Sequence, residues 1–269
     1  MTEPARSVRT EIRWGSEAVR RFNLPGLAVV LLCIALWELY SRTLGSGLTT
    51  FASVSETMVA LRDLARNGPL LEQLFHTLSV ALVGWLIATL IGLTLGAAIG
   101  IWRPVWVYSM ATIDVLRSIP SISLVSIALM IFGFSSKMEM VIVVYVSQWP
   151  VLLATAGGIQ SVPASYLDTA RALQLSRAAT VRKILLPAAL PEILVGARLA
   201  LTLSMALAIV AEMVGNPAGL GFGLVFSQQA LQPAQAFAYF VVIGAIGWGL
   251  NAVFVMAAGR IFRRFGPAL

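Results

Sequence analysis

The residues able to do chemistry in this chain are few. His76 is its one histidine and Cys33 its one cysteine. A single imidazole excludes the His-Glu-x-x-His arrangement of zinc hydrolases and leaves no second imidazole for a metal cluster. The two lysines, Lys137 and Lys183, stand outside any Gly-x-x-x-x-Gly-Lys-Ser/Thr loop, so the chain has no backbone cradle for nucleotide phosphates. No Gly-x-Ser-x-Gly elbow presents a serine nucleophile. His76, at the start of a long apolar run, reads as an interfacial residue rather than a gate or a ligand. Cys33 reads as a buried apolar residue. It has no disulfide partner, and Leu32 before it is not the small residue that lipid attachment requires.

Three sets of polar residues remain. Asp114 and Arg117, three apart on one helix face, are expected to form a local ion pair near the inner membrane boundary. Glu212 lies about 30 Å from Pro191 at roughly 1.5 Å per residue, which places it at the outer membrane interface. Two readings of it stand: an exposed interfacial carboxylate, or part of an outer gate or solute pathway. The third set is the segment 161–187, the one polar insert between long apolar stretches. Ser165 followed by Asp168 predicts a capping box, with Tyr166, Ala170 and Leu173 on one face of a short helix. Ser176 is expected to cap a second short helix, Pro187 to end it, and Pro191 with Glu192 to start the next span. A helix pair this short is unstable alone in water. It must rest on its own bundle, on lipid headgroups through Arg171, Arg177, Arg182 and Lys183, or on a partner protein.

The elements that must position these residues are membrane spans. Of the 269 residues, 58% are hydrophobic and only 12% charged, and the mean hydropathy is +0.86. Soluble domains carry about 25% charged residues, so the chain belongs in a bilayer. A net charge of +7 would suggest nucleic acid in a soluble protein. Here it reads as membrane orientation, and no nucleic-acid partner is expected. Six spans are expected, approximately 24–44, 74–102, 114–134, 139–159, 191–214 and 236–258, with a loop and a short helix between the last two. The first is an uncleaved span, because no Ala-x-Ala-like site follows it. With both termini inside, Arg6, Arg9, Arg13, Arg20, Arg21, Arg103, Arg117, Arg171, Arg177, Arg182, Lys183, Arg198, Arg260, Arg263 and Arg264 fall on the inner side. Only Arg42, Arg62, Arg66 and Lys137 fall outside. Small residues every fourth position, Gly84, Ala88, Gly92, Gly96 and Gly100, predict close helix packing inside the bundle or, alternatively, a dimer seam. The organisation expected is a tail at 1–23, a transmembrane domain at 24–262 and a tail at 263–269, both tails cytoplasmic.

The spacing of Asp168, Ala170, Gln174, Ile184, Leu186 and Pro187 resembles the "EAA" loop of bacterial ABC importer permeases: Glu-Ala-Ala, three residues, Gly, nine residues, Ile, one residue, Leu-Pro. Asp168 stands for Glu, Thr169 for the first Ala and Gln174 for Gly. Glycine there suits a left-handed helix end, so with Gln174 either the helix ends differently or the strain, about 1 kcal/mol, is tolerated. Arg117-Ser118-Ile119-Pro120-Ser121-Ile122 with Ile131-Phe132-Gly133 is similar to the third span of nitrate/sulfonate/taurine-type permeases. Ala211-Glu212-Met213-Val214-Gly215 with Gly219-Leu220-Gly221 is similar to the end of their fifth. The resemblance covers roughly residues 70 to 262.

It implies an all-α, type I importer permease in the bacterial inner membrane, working by alternating access on a small solute such as nitrate, a sulfonate, taurine or a heterocyclic vitamin precursor. It implies two separate ATP-binding subunits, an extracytoplasmic solute-binding protein and a second copy of the chain as partners, and no cofactor. Tyr166, Leu167, Asp168, Thr169, Ala170, Arg171, Leu173 and Gln174 would form the coupling helix docked on the ATPase. Glu212 and Pro120 are left as candidates for gate or pathway. The competing reading, an ion- or proton-coupled secondary transporter, needs a relay of buried titratable groups, and the sequence offers little beyond Glu212. A membrane enzyme lacks the necessary acid and base groups.

Overall fold

The computed structural model describes residues 24–43 and 51–265. Residues 1–23, with Arg6, Arg9, Arg13, Arg20 and Arg21, lie outside the described residues, as do 44–50 and 266–269. The described residues are helical throughout: α1 (Leu24–Thr43), α2 (Val54–Asn67), α3 (Leu70–Ile101), α4 (Arg103–Arg117), α5 (Ser121–Phe132), α6 (Ser136–Gln160), α7 (Ala164–Ala172), α8 (Arg177–Thr180), a π-helical turn (Val181–Leu185), α9 (Leu186–Gly215), α10 (Gly219–Gln229) and α11 (Pro233–Phe265). Five stretches are long and apolar enough to cross a membrane: Pro25–Thr43, Leu70–Ile101, Ser136–Gln160, Arg177–Gly215 and Pro233–Phe262. The third expected span, 114–134, is not one helix. Its halves, α4 and α5, are bent by 74°. Pro120 at the start of α5 lacks the N–H to continue the ladder and disfavours helical geometry at Ile119.

The core is a three-helix stack of α3, α6 and α9. Gly84, Ala88, Gly92, Gly96 and Gly100 are all buried on the face of α3 that meets α6. A Cβ at Gly92 would come within 2.7 Å of the Gln148 carbonyl oxygen, and one at Gly96 within 2.6 Å of that of Leu152. The small-residue stripe therefore brings two backbones together inside the chain, which decides between the two readings above in favour of internal packing. Partners along this seam rise together (Gly84 with Val143, Gly100 with Ala156), so α3 and α6 run parallel. α9 runs against both: Trp85 Nε1 donates to the Ala197 carbonyl at 2.9 Å, while His76 meets Asn216 just beyond the other end. α7 thus lies at one end of the bundle. α2, α10 and the starts of α3 and α6 lie at the other.

Several local expectations are corrected. α9 begins at Leu186 and contains Pro191, and it is continuous through the π-helical turn with α8, so Pro187 does not end a helix. Pro187 occupies the first turn of α9, where its missing donor is tolerated. Ser176 caps α8 as expected, its Oγ accepting from Ala179 N. The Ser165–Asp168 capping box does not form. α7 starts two residues earlier, with Pro163 rather than Ser165 at its N-cap, so both side chains stand inside the helix and Asp168 Oδ1 pairs with Arg171 Nη1 at 2.8 Å. Cys33 is exposed on α1, whose side chains project outward, as suits a helix bathed in lipid. α2 was not anticipated, although its signature is legible: Ser53 and Glu56 form a complete capping box.

Candidate functional site

The surface on α7 is built by two devices. Leu167 packs on Ile159, Leu185, Ala189 and Ile193, which fixes the helix to the bundle floor. Ala170 is buried as well, with 3% of its surface exposed. The expected single face of Tyr166, Ala170 and Leu173 is therefore divided: Tyr166 and Leu173 are exposed, and Ala170 lies beneath. Asp168, Thr169, Arg171 and Gln174 share the exposure of Tyr166 and Leu173. A cleft of about 490 Å³ opens beside them, lined by Ser165, Tyr166, Thr169, Leu173, Lys183 and Ile184 among others.

The second device is the helix end. Gln174 adopts φ 50°, the left-handed conformation that glycine favours. Leu175 N donates to the Ala170 carbonyl and Gln174 N to that of Arg171, both at 3.0 Å, which is the six-to-one and five-to-two pairing of a Schellman motif. The helix end keeps its left-handed form and the strain of a Cβ is tolerated. The nine residues of α7 are thereby closed at their C-terminal end.

Pro120 and its neighbours occupy a different level. The Tyr145 hydroxyl donates to the Leu116 carbonyl at 2.8 Å. Tyr145 lies nine residues from the start of α6 and fifteen from its end, or about 14 and 22 Å at 1.5 Å per residue. The break between α4 and α5 thus sits well inside the bundle's length, not at its edge. Arg117 Nε meets Asp114 Oδ1 at 2.8 Å as expected, yet at this interior level rather than at the inner boundary. Both side chains are about half exposed, at 52% and 49%. Ionisable residues at membrane depth are costly unless they face protein or water.

Glu212 is not an exposed interfacial carboxylate: 1% of its surface is accessible. Its Oε2 accepts from Gly221 N at 2.8 Å, across the turn that starts α10. Gly219, at φ 86°, closes that turn so tightly that a Cβ there would overlap the Glu212 carboxyl. Sequence reading missed the company Glu212 keeps. His76 Nε2 lies 3.0 Å from Oε2 of Glu139, which is fully buried, and the Asn216 amide donates to Glu139 Oε1. The ligand-capable atoms of His76, Glu139 and Glu212 all fall within 4.8 Å of one another. His76 is thus a partly buried member of a polar cluster and not a free interfacial residue.

Comparison with known proteins places this geometry. A family model, "Binding-protein-dependent transport system inner membrane component", matches residues 88–267. The chain is similar to the nitrate import permease protein NrtB of Leptolyngbya laminosa, 27% identical over 91% of this chain and 89% of the relative. It is similar to the bicarbonate transport system permease protein CmpB of Synechococcus elongatus, 29% identical over 82% and 83%. Its fold matches a chain of the MetNI methionine ABC transporter in an inward-facing conformation, with TM-score 0.62 and 21% identity, covering 73% of this chain and 96% of that one.

Proposed function

Because the chain belongs to the family of binding-protein-dependent transport system inner membrane components, we propose that it is the transmembrane half of an importer for a small anion, coupled to ATP through the α7 surface. Members of this family are ABC importer permeases, and the type I permease fold accompanies them. ATP hydrolysis and solute capture are the work of separate subunits. The observation that carries the coupling assignment is the held helix itself. Tyr166, Leu173 and Asp168 are exposed on a short helix whose end is locked by Gln174 and whose other side is anchored by Leu167. Leaving Tyr166 and Leu173 in water would waste apolar area; a cleft on an ATPase subunit covers it.

The basic residues support a cytoplasmic α7. Arg103, Arg171, Arg177, Arg182, Lys183, Arg198 and Arg260 gather toward that end of the helices, and Arg42, Arg62, Arg66 and Lys137 toward the other. Two copies of the chain, each with one ATPase subunit, would enclose the pathway between them. Arg117 and Pro120 would face it, and Arg117 supplies a fixed positive charge suited to an anion. The relatives named for nitrate and bicarbonate transport agree with that sign of charge.

The test is site-directed disulfide trapping in the assembled complex, with Cys33 replaced by Ala. A cysteine at position 173 should form a disulfide with a single cysteine introduced in the docking cleft of the ATPase subunit, and nucleotide should change the yield. A cysteine at Lys137 should not cross-link. A position-173 cysteine that labels freely in the assembled complex and never cross-links would refute the docking assignment.

A further inference from the structure

The polar cluster at the far end of the bundle from α7 is not used by the coupling surface or by the Arg117 level. It joins three elements that are distant in sequence: His76 on α3, Glu139 on α6 and Glu212 on α9. Glu139 and Glu212 are 0% and 1% exposed. Two carboxylates that close, and that buried, repel one another unless positive charge lies between them. Their hydrogen bonds are only partly met. Glu139 has Asn216 and His76. Glu212 has Gly221 N on Oε2, and among the described residues its Oε1 has no hydrogen-bond partner. Thr77 stands beside it, and its one hydroxyl proton can turn to this carboxylate only by leaving the Gln73 carbonyl, to which it donates at 3.1 Å. A buried carboxylate oxygen without a partner is costly.

The geometry points to a divalent-cation site formed by His76 Nε2, Glu139 and Glu212 Oε1. With neutral imidazole and two carboxylates, one divalent ion balances the charge and gives Oε1 its missing partner. A tetrahedral ion with bonds of about 2.0–2.2 Å holds its ligand atoms roughly 3.4 Å apart, so atoms now within 4.8 Å of one another would close by as much as about 1.4 Å when the ion binds. One imidazole nitrogen and two carboxylates suit Zn²⁺ or a similar first-row ion. Ca²⁺ would want six to eight oxygens, and Mg²⁺ would keep several waters. Three protein ligands leave a fourth position on the side of His76, the one member with measurable exposure at 21% of its side chain. The ion would tie α3, α6 and α9 together where Gly219 and Gly221 fold the chain over Glu212.

The experiment uses the purified full-length chain, with any affinity tag removed and chelator dialysed away. Elemental analysis after equilibration with micromolar Zn²⁺ should find one equivalent per chain. At a hundredfold excess over Kd the unfolding midpoint should rise, on the order of 5 °C. Glu212→Gln and His76→Gln should each weaken binding by about tenfold or more. Should either variant fail to fold, the Cys33→Ala chain titrated with Co²⁺ gives an independent reading. In that background no thiol remains and His76 is the only imidazole, so a saturable visible absorption band, displaced by Zn²⁺ and lost in His76→Gln, reports this site. Absence of a bound ion, of a midpoint shift and of a Co²⁺ band would overturn the proposal and leave a carboxyl proton as the balancing charge. Equal binding by wild type and Glu212→Gln would overturn it too.

Discussion

His76 Nε2 and Glu139 Oε2 meet at 3.0 Å although 63 positions separate them, and the contact ties α3 to α6 beyond the last glycine of their shared seam. Glu139 is wholly buried, so it cannot fall back on water if its partners are removed. Glu139→Ala removes the carboxylate that His76 and Asn216 both meet and is expected to cost about 1–3 kcal/mol. The exposed Glu72→Ala should stay within about 0.5 kcal/mol of wild type. Thermal unfolding in detergent compares the two, and equal midpoints would contradict a structural role for the pair.

The α3–α6 seam makes a second prediction, with its control in the same chain. Gly96→Ala puts a methyl 2.6 Å from the Leu152 carbonyl, which is backbone and cannot swing aside. Overpacking of this kind costs about 1–3 kcal/mol. At Gly244 nothing lies within 4 Å of the added Cβ, so Gly244→Ala should gain about 0.5–1 kcal/mol from helix propensity. Opposite signs in the two midpoints are the expected result.

What was legible in the sequence follows from range. Apolar runs are local, so the long spans could be placed. The α3 stripe is periodic, so its burial could be anticipated, though only the facing backbones of Gln148 and Leu152 distinguish a seam within the chain from one between chains. The α4–α5 break was hidden because hydropathy averages over Pro120. The cap at Ser53–Glu56 was visible and unread. The His76–Glu139–Glu212 cluster was not legible at all, since each member sits alone in its own apolar run. Glu139 read merely as the first residue of a span.

Glu56 carries a pH-dependent prediction. The Ser53 N–H and hydroxyl meeting its carboxylate hold it below the usual carboxyl range. A depressed carboxyl stabilises the fold above its ordinary pKa, and that contribution is lost as pH falls through the lower, folded value. Ser53→Ala should cost α2 about 1 kcal/mol at neutral pH. The gap between wild type and Glu56→Gln should shrink as the buffer is taken from pH 6 towards pH 3. A gap that widens in acid would contradict the capping role.

At Gln174 the prediction runs toward higher stability. Its φ of 50° strains any residue with a Cβ, so Gln174→Gly should raise stability by up to about 1 kcal/mol while the Schellman pairing persists. ATP hydrolysis coupled to uptake should stay near wild type, because Tyr166 and Leu173 keep their positions. Gln174→Val, β-branched in a left-handed conformation, should lower both stability and uptake.

If the cargo is an anion, as proposed, Arg117 is the residue that meets its charge. It stands at a helix break well inside the bundle, about half exposed and paired on one side with Asp114. A guanidinium keeps free donors after one such pairing, and its charge does not vary across physiological pH. A hydrogen bond to a charged group is worth about 1.5–3 kcal/mol, so Arg117→Gln should lower anion uptake by roughly tenfold or more. Membrane insertion should be unaffected, and ATP turnover at rest should stay near wild type, because α7 is remote from this level. Asp114→Asn removes the competing anion and should leave uptake equal or higher. Nitrate and bicarbonate are the first solutes to try, measured as radiolabel in vesicles holding the full complex. If Arg117→Gln transports both at the wild-type rate, Arg117 does not face the cargo and the anion assignment loses its structural support.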